Sequence, residues 1–285
     1  MGVQDALEGR PVELRIFYLD TKRNTSQDWK VKKAREAWQV IDSWQPDAVV
    51  TADDNAQILV TQHYAGEPGP YFVFCGVNGK PEAYNIIAPN VTGVLERPHF
   101  EESIEYLREI LPRVHRIAII SDLGPTSMGA LDYMSGRAVP GVDVLGIHLI
   151  EKMSVWQERF SDYDHRDFDA VAVYMYHTLK TEEGGRSIDP EKVMDWTIGN
   201  IDLPLVGFFD FAVADGMLCG VVESGHEHGY DAGRMAWELV NGTDIRELPI
   251  HVAERGVRML NLRTAEILGI DVPEDVISNT DRLVR

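Results

Sequence analysis

Asp53, Asp54 and Asn55 follow directly on the short apolar run Ala48-Val-Val-Thr51, and Cys75, Val77 and Asn78 close a second run that begins Tyr71-Phe-Val-Phe74. Carboxylates and an amide gathered where apolar strands end can hold the ammonium or hydroxyl of a small solute, although an Asp in that place also serves as a helix cap. A second group stands in the same relation to later runs. Asp122, Thr126 and Ser127 follow Arg116-Ile-Ala-Ile-Ile120, Tyr174, Tyr176 and His177 close the run that starts at Ala170, and Phe209 and Asp210 follow Leu205-Val-Gly-Phe208. Aromatic faces with a few polar groups among them suit an organic molecule. Each residue also has an ordinary structural use: Asn78 and Ser127 as turn residues, Tyr174, Tyr176 and Phe209 as core, His177 as an inert exposed ring, Asp210 as a solvated carboxylate.

Other chemistries find less support. His226-Glu-His228 is the densest histidine cluster, but residues two apart cannot share one helical face, and no third ligand stands at a recognised spacing. The acidic stretches around 162–169 and 182–183 lack the spacing and central glycine of a calcium loop. No nucleophile elbow, phosphate loop or dinucleotide fingerprint occurs, and Cys75, without an identifiable histidine partner, reads as a buried, unreactive thiol. No catalytic residue, metal ligand or cofactor is therefore assigned.

The elements that must position these residues alternate. Residues 12–19 read as a strand, Ser26 as the cap of a helix carrying Trp29, Ala34, Ala37, Trp38 and Ile41 up to Pro46, then strand 48–51, a helix from Ala56 to about Tyr64, and strand 71–74. After Asn90-Val-Thr-Gly-Val94 the alternation restarts: helix 100–111, strand 116–120, helix near 128–138, strand 142–149, helix 155–160, strand 170–174, helix 190–198 and strand 205–208. The tail adds an apolar run at 217–222, a helix at 230–239, an extended piece at 249–252 and a helix at 262–268. Strands that are apolar throughout argue for parallel sheets covered on both faces. The expectation is an α/β protein of two doubly wound parallel-sheet lobes joined by hinge strands near 94–97, 221–224 and 249–253. The amino-terminal lobe would span 1–96 plus 223–250, and the carboxy-terminal lobe 97–222 plus 251–285.

The 285 residues carry 46 Asp+Glu against 27 Lys+Arg, a formal charge of −19, which makes nucleic acid a poor partner. No apolar run reaches the roughly 18 residues of a membrane span. Cys75 and Cys219 are too few and too far apart to report a redox compartment. The chain opens on Val3, Ala6 and Leu7 as the last turn of a helix, then Gly9-Arg10-Pro11, so the first strand and most of the first helix of the amino-terminal lobe are missing. Met1 accordingly reads as an internal start, with a natural precursor beginning about 30 residues earlier in an export signal.

Phe74-Cys-Gly-Val-Asn78, Asn90-Val-Thr-Gly-Val94, Leu107-Arg-Glu-Ile-Leu-Pro112 ahead of Arg116-Ile-Ala-Ile-Ile120, and the tail from Leu260-Asn-Leu-Arg to Asp271-Val-Pro273 carry a resemblance. Together they resemble the ABC-transporter substrate-binding proteins of the type I periplasmic-binding fold, in the branch that contains aromatic amino-acid binders. Asp20-Thr21-Lys22-Arg23 and Ala52-Asp53-Asp54-Asn55-Ala56 are similar to a subset associated with sensory or transport roles. The resemblance implies a non-enzymatic solute-binding protein that takes a small organic ligand, amino-acid-like or aromatic, in an interlobe cleft and delivers it to an ABC permease. It implies a periplasmic or extracytoplasmic location, although this chain shows no signal sequence. Two other readings share the fold: the sensing module of a signalling partner, and a cleft hydrolase or isomerase using Asp53, Asp54 or His177.

Overall fold

Ser26 accepts a hydrogen bond from the Trp29 backbone N–H and opens helix α2, Gln27–Trp44, as its sequence predicts. The computed structural model describes residues 2–285 except 22, 23, 25, 165, 183–186 and 254, and every side chain among these except those of Pro125 and Thr126. Lys22, Arg23, Glu183 and the Thr126 side chain, named above, thus lie outside the described residues. The chain divides into two compact units, Met1–Arg97 with Ser224–Arg255, and Pro98–Glu223 with Gly256–Arg285.

In the first unit, α1 (Gly2–Leu7) and α2 precede β1 (Ala48–Ala52), then α3 (Asp54–Ala56), a π-helical turn Gln57–Thr61 and α4 (Gln62–Tyr64) lead to β2 (Tyr71–Val77) and β3 (Val91–Leu95). The chain returns later with α10 (Gly225–Val240) and β9 (His251–Val252). The sheet order is β1-β2-β3-β9, parallel at every pairing. Alternation along β2 explains the two covered faces. Phe72 and Phe74 pack with Ala37 and Ile41 of α2, while Val73 and Cys75 pack with Ala232, Met235 and Leu239 of α10. Each fully buried Phe contributes about 1.5–3 kcal/mol to this arrangement. Gly233 lets α1 lie against α10, since a Cβ there would sit 2.9 Å from the Cβ of Ala6.

Residues 12–19 form no strand, a correction to the sequence expectation. Their β-forming side chains are mostly exposed and lie beside α2 instead: Trp29 Nε1 donates to the Leu19 carbonyl at 3.0 Å, and the Arg15 guanidinium covers the Trp44 ring at 4.5 Å.

The second unit runs α5 (Phe100–Ile110), β4 (Arg116–Asp122), α6 (Pro125–Ser135), β5 (Asp143–Ile150), α7 (Met153–Asp162), β6 (Ala170–Val173), α8 (Pro190–Gly199), β7 (Leu205–Gly207), α9 (Asp210–Ala214) and β8 (Cys219–Val222). It closes with β10 (Val257–Asn261), α11 (Leu262–Ile267), α12 (Glu274–Ser278) and β11 (Arg282–Val284). The order is β11-β10-β8-β7-β6-β4-β5, parallel apart from the β8–β10 pair. Ile117 and Ile119 face Ile104, Leu107 and Met134, whereas Ala118 and Ile120 face Trp156, Phe160 and Val193. Both units are therefore sheets wound with helices on two faces, the architecture expected from the apolar runs. Their carboxyl edges, where loops gather and helices begin, carry the candidate residues.

Candidate functional site

At the carboxyl edge of the first unit, Asp53 takes a backbone conformation rare for a side-chain-bearing residue, φ 78° and ψ 155°, at the order of 1–3 kcal/mol of strain. Neighbours over-determine it. Its N–H donates to the Cys75 carbonyl at 3.0 Å, its carbonyl accepts from Gln57 Nε2 at 3.0 Å, and its carboxylate caps α3 by accepting from the Asp54 N–H at 2.7 Å. Gln57 is fully buried in the π-helical turn and is tied to Thr61 at 2.8 Å and Thr51 at 3.3 Å, so the turn fixes the end of β1.

Asp54 fixes the loop after β2. Its carboxylate accepts from the backbone N–H groups of Asn78 (3.2 Å) and Gly79 (3.0 Å) and from the Tyr84 hydroxyl (2.8 Å). Burial and the hydrogen bond to this carboxylate both push the Tyr84 phenol up. Arg97 holds the other side of the same loop, donating to the carbonyls of Val77 (3.1 Å), Asn78 (2.8 Å), Gly79 (3.3 Å) and Glu96 (2.6 Å). One side chain thus gathers the loop's N–H groups and another its carbonyls. The Asn78 side chain is left half-buried, and its Nδ2 donates to Glu96 Oε2 at 2.9 Å. Asn55 is half-buried in α3. Val77 and Cys75 are buried, and burial, with the Glu96 charge added, pushes the Cys75 thiol up to about 12. A thiol so held is protonated and weakly nucleophilic at neutral pH.

The second unit's edge rests on Asp122, only 2 % exposed. It accepts from Ser127 Oγ at 2.6 Å and from the Thr178 N–H at 2.8 Å, tying the start of α6 to the segment after β6. Asp122 and Ser127 are therefore occupied with each other. Tyr174 and Tyr176 are fully buried. The first packs against Phe208 and Phe209, and the second donates its hydroxyl to Asp215 at 2.7 Å; burial, then that carboxylate, push its phenol up. In this conformation neither tyrosine turns a face to a solute. Three half-buried rings stand at this edge instead. Phe209 stacks on Phe211 at 5.2 Å and 7°, and His177 meets Phe211 edge-on at 4.8 Å. Asp210 is exposed, accepts from the Phe211 N–H at 2.8 Å and lies 3.5 Å from Arg282.

Of the nominated residues, the first unit brings together Asp53, Asp54 and Asn78, and the second sets His177 and Phe209 each against Phe211. Sequence reasoning missed Glu96, Arg97, Phe211 and His228. Phe211 was legible as a third aromatic two residues from Phe209. His228 was hidden by the helix start: Ser224 caps α10 by accepting from the Glu227 N–H at 3.2 Å, so the helix begins well before Tyr230 and carries His228 on its buried face. His226, two residues earlier, is exposed and pairs with Asp5 at 2.7 Å, so the two histidines do point apart. Among the described residues no three potential ligands gather for a metal ion.

Residues 200–284 match the family model described as ABC transporter substrate binding protein, which bears out the resemblance read in the sequence. No curated protein matches the chain. Solved structures share its fold over nearly its whole length. A ligand-free, open substrate binding protein with adhesive properties from Clostridium difficile superposes with a TM-score of 0.70 at 15% identity, covering 99% of this chain and 92% of its own. A conserved domain protein from Vibrio cholerae gives 0.62 at 18%, covering 99% and 93%. An ABC domain in complex with L-Trp from Streptococcus pneumonia gives 0.59 at 18%, covering 99% and 94%.

Proposed function

From a chain that carries the ABC transporter substrate binding protein signature over residues 200–284 and shares the fold of solved substrate-binding proteins throughout, we propose a solute-binding protein that serves an ABC importer from outside the cytoplasm. The observation that carries this reading is the make-up of the two carboxyl edges. One offers half-buried carboxylates and an amide on a doubly anchored loop, the other three half-buried rings, His177 and Phe209 each packed on Phe211. The first edge supplies polar recognition from Asp53, Asn78 and Glu96, and the second an aromatic surface from His177, Phe209 and Phe211. The ligand is a small planar or amino-acid-like solute. The ligand-bound form is the one that the permease accepts, favoured over the free form only by the ligand's difference in affinity for the two.

Two of the reactive groups at the first edge are spoken for: the Cys75 thiol is shut in and protonated, and Asp54 accepts from the loop it holds. The chain binds its solute and releases it unchanged. Thermal melting against amino acids, nucleobases, sugars and small carboxylates tests this, since a ligand selective for the native state raises the midpoint by mass action. The expected result is a rise with one chemical class and recovery of that compound intact. A flat response across the panel, or chemical conversion of the bound compound, overturns the proposal.

A further inference from the structure

Each sheet ends in two lateral strands whose outer sides are unpaired among the described residues, and the four are not alike. β9 and β11 have two and three residues, and β1 has five, most of them half-buried. β5 has eight, with Leu145, Ile147 and Leu149 exposed by 53 %, 43 % and 40 % at alternate positions. Neither lysine nor proline, residues that keep a lateral strand from pairing with another chain, interrupts it. Its one irregularity is an extra residue, Leu145, between Val144 and Gly146 in the pairing with β4.

Backbone direction decides which groups are free. The Ile150 carbonyl accepts from the Leu123 N–H at 2.8 Å on the β4 side, and successive residues of a strand hydrogen-bond to opposite sides, so Ile147 and Leu149 turn their N–H and C=O groups outward. The two ends of the strand are shaped differently. Towards its start, Leu145 and Ile147 join Met134, Arg137, Val139 and Val142 around a groove of about 380 Å³. At its close stand the exposed Leu149 and Leu123. The surroundings are also poor in charge: residues 123–150 have Asp132, Arg137 and Asp143 as their only charged side chains, a sum of −1 in a chain of −19.

A lipid surface would leave the outward N–H and C=O groups without partners, and nucleic acid would meet a single guanidinium. A second copy of the chain answers each feature. Its own free strand supplies the hydrogen bonds, and two acidic copies repel each other less across this charge-poor surface than across one of average composition. Laid antiparallel, the closing end of each strand falls beside the groove of the other, so the projecting leucines of one copy meet the hollow of its counterpart. We propose that the chain forms a two-fold dimer in which β5 pairs antiparallel with its equivalent about Ile147. Directly opposed residues share a face of the sheet, so the two-fold must centre on a residue. Centring on Gly146 sets Asp143 against Leu149, and centring on His148 sets Leu145 against Glu151. Centring on Ile147 sets Leu145 against Leu149, and Asp143 against a Glu151 whose charge Lys180 balances at 2.8 Å.

Sedimentation velocity of the whole chain over a micromolar to millimolar series tests this. The expected species has twice the mass of one chain. Ile147→Lys places like charges on both sides of the two-fold and weakens association about tenfold or more, while its far-ultraviolet dichroism matches the parent's, which separates a lost contact from a lost fold. Ile16→Lys, on the exposed run of the first unit, leaves association unchanged. Ile147→Cys reads the register: hydrogen-bonded antiparallel neighbours stand about 5.5 Å apart at Cα, within reach of a disulfide. That variant cross-links with itself under mild oxidation, whereas Leu145→Cys cross-links only when mixed with Leu149→Cys. Cys75 and Cys219 are buried and do not compete. A chain that stays monomeric throughout, a dimer that persists in Ile147→Lys, assembly beyond the dimer, or self-cross-linking of Leu145→Cys in place of Ile147→Cys overturns the proposal.

Discussion

The two carboxyl edges use one device at different depths. In the second unit Asp122 is sealed from solvent and joins α6 to the segment after β6 through Ser127 and Thr178. In the first unit Asp54 does the equivalent for the loop after β2, but it is half-buried and shares the task with Arg97. An aspartate that accepts from backbone N–H groups can brace a loop without a cation beside it. Depth decides what its loss costs. Donors stranded in a dry interior carry the full desolvation penalty, whereas donors near the surface recover part of it from water.

The comparison makes a ranked set of expectations. Asp122→Ala has the largest effect, about 2–4 kcal/mol from the buried Ser127 hydroxyl left without its acceptor, the part-buried Thr178 N–H set free and a small cavity, read as a lower urea midpoint at unchanged slope. Asp54→Ala follows at about 1–3 kcal/mol, since water reaches the freed N–H groups of Asn78 and Gly79. An Asp54→Ala loss as large as that of Asp122→Ala would break the comparison, because depth would then not be the deciding variable. Arg97→Gln comes third at about 1 kcal/mol: Gln keeps one or two of the carbonyl contacts, and the freed carbonyls, only part-buried, regain some of their solvation. Hydrogen exchange sharpens this point. The amides around Asn78 should lose protection in Arg97→Gln while those of the second unit keep theirs.

How far these edges were legible in the sequence follows from the same physics. Strands that are apolar on both faces announce a covered parallel sheet, so β1, β2, β4, β6 and β7 and the helices between them stood out as alternating runs. Residues at strand ends could be nominated as a group for the same reason. Their individual duties could not. Asp53, Asp54 and Asp122 are all aspartates next to a helix start, and only the fold decides that one sits strained at a strand end, one braces a neighbouring loop and one is buried. Tyr174 and Tyr176 look like ligand aromatics because strand ends and core layers favour the same residue type. Glu96 and His228 could not be grouped from the sequence because the first unit is completed by α10, which comes from a distant part of the chain. The run at 12–19 misled for the opposite reason, since β-propensity measures fit to a half-buried pleated surface and those side chains are largely exposed.

The smallest expectation turns on the opposite edge of the second sheet, where β4 begins. Asp169 there accepts from the backbone N–H groups of His115 (3.0 Å) and Arg116 (2.9 Å), as the carboxyl-edge aspartates do, but it also meets the Arg116 guanidinium at 2.9 Å. Burial works against its ionisation, and the hydrogen bonds from Arg116 and the two N–H groups outweigh it, leaving the carboxyl below its ordinary 3.8. A carboxyl depressed in the folded state binds its proton more readily when the chain is unfolded. Its stabilisation is therefore complete above about pH 5 and is lost as the pH falls through the folded value. Urea unfolding from pH 7 down to pH 3 should show the stability gap between the parent and Asp169→Asn shrinking with acid. A gap that stayed constant would mean that the carboxyl is not depressed in the folded state, so that neither the guanidinium nor the two N–H donors favour its charged form over the neutral one.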